Sequence, residues 1–439
     1  AHPTEQQQPP ASRPWHIAAD RLRDGPAWPA EMRTAALARL DETGLPDVTQ
    51  EDWRYTSLAR YQQRWSTYLA TPAQPAPGDG DLRRPGLDAP AGTLVVRIVD
   101  GVLQSVADTV SGLTIQSLRG LTPTLPKPLC EILRKADSRT PETLVDLNSA
   151  LASDVIFIGT AARGVPDGTT VHVQVVGDGA PAFGQPRLLV DIASGTRLTL
   201  VLEHSGTDGT LSNAVTQVWI GRDGHLDLIR VQDLPDDGML TETTNVEVAA
   251  AASLAVTSID IGGLLSRQAL TILLAGAGAS ATVEGLFIAD GKRHIDNRTR
   301  LEHRAPQTTS RETFRGLADG HGRGVFNGKI IVLPGAAGSN AALTNRNLLL
   351  APTAEIDTKP ELEIYVDDVR CSHGATTGQL DANALFYLRT RGLDPAAARQ
   401  VLTAAFLRQA LGGIATPALR ARLEARLQAR LKAGLGGES

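Results

Sequence analysis

The chain has 439 residues and a formal net charge of −5, and its Lys and Arg residues form no basic stripe. This length predicts two or three domains, and the charge pattern argues against a sequence-independent grip on nucleic acid. No apolar run approaches the roughly 18 residues that span a bilayer. The first residues are polar and rich in Pro, without the apolar stretch of a signal peptide. Cys130 and Cys371 lie far apart and make no disulfide framework, so we expect a reducing cytoplasm.

The first region, residues 1–92, is predicted to be helical and to end in a linker. Residues 30–43 (AEMRTAALARLDET) place apolar side chains on one helical face, and Gly44 follows where a C-terminal cap belongs. Residues 71–92 are dense in Pro and Gly, which indicates a boundary loop. The apolar face of the predicted helix consists of Met32, Ala36, Leu37 and Leu40.

In the second region, residues 93–378, short β-rich segments alternate with Gly, Asp and Asn turns. Four segments resemble one another, and their turns recur about every 27 residues, a spacing typical of stacked repeats. Stacking buries the face that a single repeat would leave exposed to solvent. The fold is therefore predicted to be mainly β, as a β-helix or related β-solenoid, with a β-sandwich as the alternative. The turns lie near Gly195, Gly224, Ala252 and Gly278.

The third region, residues 379–439, is predicted to be helical. Asp381 is a helix cap, and Asp394 followed by Pro opens a second helix. A third helix, from residue 417, carries Leu every four residues between charged ones. This stripe is explained equally well by docking onto the chain itself and by docking onto a partner. Its members are Leu419, Leu423, Leu427, Leu431 and Leu435.

Enzyme signatures are scarce. The nearest approach to a phosphate-binding loop, GRGVFNGKI at residues 322–330, has the wrong spacing and lacks Ser or Thr after its Lys. We therefore expect no ATP hydrolysis by this chain alone. The sequence contains no CxxC, HExxH or GxSxG motif.

One segment, ELEIYVDDVRCSHGAT at residues 361–376, could take part in metal chemistry. Cys371 and His373 are two residues apart in a predicted strand, so their side chains share one face. Fe and Zn both accept a thiolate with an imidazole, but two ligands cannot complete a four-coordinate site. Cys130 lies far away in a predicted helix. Either another molecule completes the site, or Cys371 is a small buried residue beside a structurally bonded His373.

The C-terminal half resembles the SufB/SufD family of the SUF iron–sulfur cluster assembly system. The resemblance rests on GVFNGKIIVLP, TNRNLLL, AEIDTKPELEIYVDDVRCSHGATTGQLD and ALFYLRTRGLD, with weaker similarity in EDWRYTSL and LVDLNSALASD. CSHGAT at residues 371–376 is similar to the SufD-type sequence at the point where SufB-type chains read VEHEAT.

The resemblance implies a right-handed parallel β-helix between helical ends, in a non-catalytic scaffold. The expected partners are a SufB-like subunit, which shares a transient iron–sulfur cluster near His373 and Cys371, and a SufC-like ATPase. A flavin is expected only at the level of the whole complex, and the isolated chain could form a homodimer. The implied docking surface for the ATPase contains Leu385, Phe386, Leu402, Phe406 and Leu407.

Two other functions are weighed against the scaffold. β-Helices also form polysaccharide lyases and hydrolases, but those enzymes are generally secreted and line a groove with carboxylates. This sequence shows no carboxylate ladder along its repeats. The third possibility is a plain interaction module in which Cys371 and His373 are inert.

Overall fold

A computed structural model describes residues 13–21, 30–70, 89, 92–119, 142–162, 164–178, 183–414 and 416–434. Cys130, Leu435 and most of the predicted linker lie outside these residues. None of the described helices combines the length and apolar character needed to cross a bilayer.

Two sheets of stacked strands form the body of the molecule. Sheet A follows the order β2-β1-β5-β8-β10-β12-β14-β16-β18-β20, and sheet B the order β3-β4-β7-β9-β11-β13-β15-β17-β19, with β6 beside β9. All pairs are parallel except β1–β2 and β3–β4, so the chain alternates between the sheets as a parallel β-solenoid. The strands are β1 Leu94–Val99, β2 Val102–Val106, β3 Leu113–Ser117, β4 Ile156–Thr160, β5 Thr170–Gly177, β6 Phe183–Gly184, β7 Arg187–Ile192, β8 Arg197–Gly206, β9 Leu211–Ile220, β10 His225–Gln232, β11 Met239–Val248, β12 Ser253–Asp260, β13 Leu265–Leu274, β14 Ser280–Ala289, β15 His294–His303, β16 Thr309–Ala318, β17 Arg323–Val332, β18 Ser339–Leu349, β19 Glu355–Ile364 and β20 Val369–Gly378. The predicted solenoid is confirmed, and the sandwich is excluded.

The turns that lead from sheet B to sheet A stack on one another. Each of the five turns from Gly195 to Gln307 contains a residue with positive φ, such as Gly195 (+68°) and Asp223 (+57°). That residue donates its N–H to a carbonyl in the turn of the next coil: Gly195 N to Arg222 O at 2.9 Å, and Asp223 N to Ala250 O at 3.1 Å. This bond satisfies backbone groups that a turn would otherwise leave without a partner. The repeats therefore turn where the sequence predicted, within one residue.

Helices cover the outer face of sheet B. Leu211, Met239 and Leu265 of that face share a buried cluster with aromatic residues of the N-terminal region, including Trp53 and Trp65. A helix that the sequence analysis did not expect lies between β3 and β4 and joins this layer. The helices of this layer are α1 Pro14–Arg21, α2 Ala30–Thr43, α3 Ala59–Ala70 and α4 Thr143–Leu151, with a 3₁₀ turn at Glu51–Trp53.

Three C-terminal helices follow the solenoid: α5 Ala382–Thr390, α6 Pro395–Arg408 and α7 Pro417–Gly434. Two predicted caps are present. Asp381 accepts from Asn383 N at 2.7 Å, and Asp394 accepts from Ala397 N at 2.8 Å. The leucine stripe of α7 is buried against outward residues of sheet A, among them Val231, Ile259 and Leu286. For the four leucines that the structure describes, docking onto the chain itself is therefore the correct alternative. They are Leu419, Leu423, Leu427 and Leu431.

Candidate functional site at the open end of the solenoid

The last coil of the solenoid consists of β19 and β20, which are the end strands of their sheets. β20 pairs with β18, and β19 pairs with β17. In the described parts of the chain, no strand pairs with the other edge of either one. A free strand edge presents backbone N–H and C=O groups that can pair with another chain.

Register fixes which backbone groups of β20 face this free edge. Asn340 N, in β18, donates to Thr308 O, just before β16, and Leu350 N, just after β18, donates to Ala318 O in β16. Backbone direction alternates along a parallel strand, so the odd-numbered residues of β18 face β20. With Leu343 opposite His373, the even-numbered residues of β20 pair back with β18. The backbone groups of His373 and Ala375 therefore face the open edge.

Cys371 and His373 lie on the core-facing side of β20. They are in register with Ala341 and Leu343 of β18, which are each 1% exposed and belong to the core between the sheets. Cys371 is half-buried against this core, whereas the side chain of His373 is exposed. The alternation in the sequence predicted their shared face, and the register agrees with it.

The surroundings of the two side chains differ chemically. Burial raises the pKa of the Cys371 thiol, which favours the protonated form over the thiolate that binds metals. Within the described chain, His373 forms no hydrogen bond or ion pair. Its imidazole therefore remains available for another molecule, as a ligand or as a hydrogen-bond partner.

Among the described residues, no three His, Cys, Asp or Glu side chains come together as a metal-binding set. Cys371 and His373 supply two donors on one face. Four donors complete a tetrahedral site. The arrangement can therefore act on a metal or cluster as one side of a shared site.

Apolar side chains surround this end of the solenoid. Ile364 is 43% exposed and Tyr365 is 58% exposed, just before the turn into β20. Leu362, Val366 and Val369 are only partly buried, although they contact the core. The sequence analysis did not single out Ile364 or Tyr365. The pattern that could have identified Ile364 is its position two residues after Leu362 in β19, which places both side chains on one face. The open end thus combines free strand edges, exposed apolar groups and the two candidate ligands.

The C-terminal helices carry a second exposed apolar group. Phe386 is 68% exposed and Tyr387 is 56% exposed on α5, and Val401 is 47% exposed on α6. Leu385, Leu402 and Phe406, which the resemblance placed in a docking surface, are half-buried. Tyr387 and Val401 were not predicted.

Leu407 requires a correction. It is 1% exposed and lies in the cluster that α7 forms with sheet A. A partner could contact its side chain only by displacing the chain's own packing. Leu407 is therefore a core residue, and it does not belong to an available docking surface.

Comparisons with known proteins cover nearly the whole chain. Residues 175–406 match the family model described as "SUF system FeS cluster assembly, SufBD core domain", and residues 26–174 match "SufBD protein N-terminal region". The chain is 30% identical over 380 residues to the iron-sulfur cluster assembly protein SufD of Escherichia coli, which covers 84% of this chain and 85% of that protein. It is 27% identical over 409 residues to an iron-sulfur cluster assembly SufBD family protein of Synechocystis sp., covering 89% and 88% of the two chains.

A further relative is an iron-sulfur cluster assembly SufBD family protein of Mycobacterium tuberculosis. It is 28% identical over 310 residues, which is 67% of this chain and 77% of that protein. The two family models abut at residues 174 and 175, inside β5, and together they extend over both sheets and helices α2 to α4. The chain belongs to the SufBD family of iron–sulfur cluster assembly proteins.

Proposed function

We propose that the chain is a SufD-type scaffold subunit that forms one side of a cluster-assembly interface with a SufB-like subunit. The observation that carries this proposal is the open end of the solenoid, where His373 and Cys371 lie on the core-facing side of a free edge strand. A partner that continues the two sheets would cover the apolar end and bring further ligands to the two donors. The cluster is the cargo of this interface, held while it is built.

Within that interface we assign the larger role to His373. Its exposed imidazole can act as a metal ligand or as a hydrogen-bond partner. Cys371 is half-buried, and burial raises its pKa, so it reacts less readily unless a nearby cation or metal stabilises the thiolate. The SufD homologue and the family match support cluster assembly, and they favour it over the lyase or hydrolase alternative.

We further propose that the exposed apolar group of α5 and α6 binds a SufC-like ATPase. Phe386, Tyr387 and Val401 supply the large exposed side chains that anchor helix-in-groove interfaces. The chain itself is a non-catalytic subunit in this proposal. Its sequence lacks a phosphate-binding loop, so the partner would hydrolyse the ATP.

Co-expression with SufB-like and SufC-like proteins tests the proposal. We expect a three-protein complex that contains iron and sulfide, and ATP hydrolysis that requires the SufC-like subunit. Robust ATP turnover by the pure chain would contradict the non-catalytic role. A complex that never contains iron would leave only an interaction module. Size-exclusion chromatography of the isolated chain shows whether the free edges pair two copies when no partner is present.

A further inference from the structure

A cationic cleft lies far along the chain from the candidate assembly site. Its volume is about 460 Å³, and it lies between the segment that precedes α3 and the turns that lead into β13, β15 and β17. Among the described residues that line it are four arginines, one lysine and two histidines, and no Asp or Glu. This concentration of positive charge stands out in a chain whose formal net charge is −5.

Two of the arginines are already paired. Arg293 contacts Asp290 and Asp236, and Arg323 contacts Asp357 at 2.7 Å. Arg293 is 7% exposed, and its Nε has no hydrogen-bond partner within the described chain. Carboxylates hold these two guanidinium groups in place and offset their charge, so the uncompensated positive charge of the cleft comes from its other cations.

Three exposed cations, Arg54, Arg60 and Lys292, form no ion pair with the described residues. Of the two histidines, His321 is exposed in the turn between β16 and β17, whereas His294 is half-buried and its Nε2 lies 2.9 Å from Thr56 Oγ1. Exposed like charges repel one another, and an anion that binds between them lowers their electrostatic free energy. A phosphate group is a suitable anion, since arginine binds it with two hydrogen bonds and lysine acts as a point charge.

The cleft also has an apolar side. Val48, which is 49% exposed, and the half-buried Leu264 line it together with the half-buried ring of Tyr55. The hydroxyl of Ser57 adds a neutral hydrogen-bonding group. Small-molecule sites of roughly 300–1,000 Å³ typically combine apolar walls with a few polar groups, and this volume lies within that range.

We propose that this cleft binds a small phosphorylated molecule, with its phosphate on Arg54, Arg60 and Lys292 and its organic part against Tyr55, Val48 and Leu264. Inorganic pyrophosphate could satisfy the cations but would leave the apolar side uncovered. A nucleoside diphosphate satisfies both. None of the residues that line the cleft belongs to β19, β20 or the C-terminal helices, although Arg323 contacts Asp357 of β19.

The test is titration calorimetry on the full chain, with pyrophosphate and ADP as probes at low and high salt. We expect ADP to bind more tightly than pyrophosphate, and both to weaken as salt rises. A variant with Arg54→Gln, Arg60→Gln and Lys292→Gln should bind ADP at least about tenfold more weakly, since the loss of a single charged hydrogen bond already costs about that factor. Tyr55→Ala should weaken ADP and leave pyrophosphate unchanged.

The matched control replaces three exposed arginines outside the cleft: Arg197→Gln, Arg222→Gln and Arg311→Gln. It removes the same charge, so an equal loss of ADP binding in both triple variants would reduce the effect to net charge and overturn the proposal. No saturable binding of either probe at millimolar concentration would also overturn it. The proposal would also be overturned if a deca-glutamate peptide bound through the same three cations while neither phosphate probe did. The ligand of the cleft would then be an acidic protein segment. Circular dichroism of each variant confirms that the fold is intact.

Discussion

His373 is in register with Leu343 of the preceding coil, but Leu343 is 1% exposed whereas His373 is exposed. Both side chains are on the core-facing side of sheet A. The difference arises because another coil covers Leu343 and, in the described chain, no coil covers His373. A position that would be core in any other coil therefore carries a polar, metal-binding side chain at the end of the solenoid.

This relationship predicts the effects of two substitutions on the assembled complex. His373→Ala should lower bound iron and sulfide by about tenfold or more, since loss of a ligand or its support typically costs at least that in metal retention. Cys371→Ala should have a smaller effect, because the thiol is half-buried and its raised pKa disfavours the thiolate. The measurement is iron and sulfide per complex, after its stoichiometry has been confirmed.

Arg370→Ala is the matched control for His373→Ala. Arg370 is exposed on the same strand but faces the opposite side, in register with the exposed Asn340. Its loss should leave cluster content unchanged. If the complex with alanine at position 373 keeps its full cluster, then Cys371 and His373 are structural residues and the chain is a passive support.

A second prediction separates exposed from buried residues in the C-terminal helices. Phe386→Asp should weaken binding of the SufC-like ATPase by about 2 kcal/mol or more, as expected for an exposed aromatic anchor, without changing the melting temperature. Leu407→Asp should lower the melting temperature strongly, because it places a charge in the cluster beneath α7. Affinity by calorimetry and stability by thermal melting distinguish the two. Unimpaired ATPase binding by Phe386→Asp would place the docking surface elsewhere.

A third prediction concerns pH and Glu312, whose neighbours in register are the core residues Val283 and Leu343. Burial raises the pKa of Glu312 to about 7, and no cation pairs with it in the described chain. The folded state therefore holds this proton more tightly than the unfolded state. The tighter binding of this proton stabilises the fold fully below the unfolded pKa of about 4.5, and this stabilisation is lost as pH rises to about 7. It amounts to something on the order of 3 kcal/mol.

Glu312→Gln removes this titration while keeping a neutral side chain of the same shape. The variant should gain in melting temperature relative to the native chain as pH rises from about 5 to 8. Glu31→Gln, an exposed substitution on α2, serves as the control and should follow the native chain across that range. If the difference in melting temperature between Glu312→Gln and the native chain stays constant from about pH 5 to 8, the carboxylate is already ionised in the folded chain at pH 5.

Local features of the sequence predicted much of this fold. The turn near Gly195, the caps at Asp381 and Asp394 and the shared face of Cys371 and His373 depend on residues a few positions apart, so short patterns report them. The burial of Leu407 could not be read in the same way, because it depends on where α7 packs on sheet A. The cationic cleft likewise brings Arg54 of the N-terminal region together with Lys292 of the turn between β14 and β15, and only the completed fold makes them neighbours.

The last prediction tests whether the open edge of β20 pairs with a partner strand. Ala375→Pro removes an N–H that faces the free edge and places the proline ring there, while the pairing with β18 is kept; the preceding Gly374 tolerates the restriction that proline imposes. We expect a normal melting temperature for the isolated chain and a loss of binding to the SufB-like subunit, measured by co-purification and calorimetry.

The matched control is Thr376→Pro, one residue further along, whose N–H faces β18. That variant should instead destabilise the last coil of the isolated chain, seen as faster hydrogen exchange in β20. If Ala375→Pro assembles normally, the subunits meet through side chains rather than through paired strands, and His373 would then reach the interface without help from the backbone of its own strand.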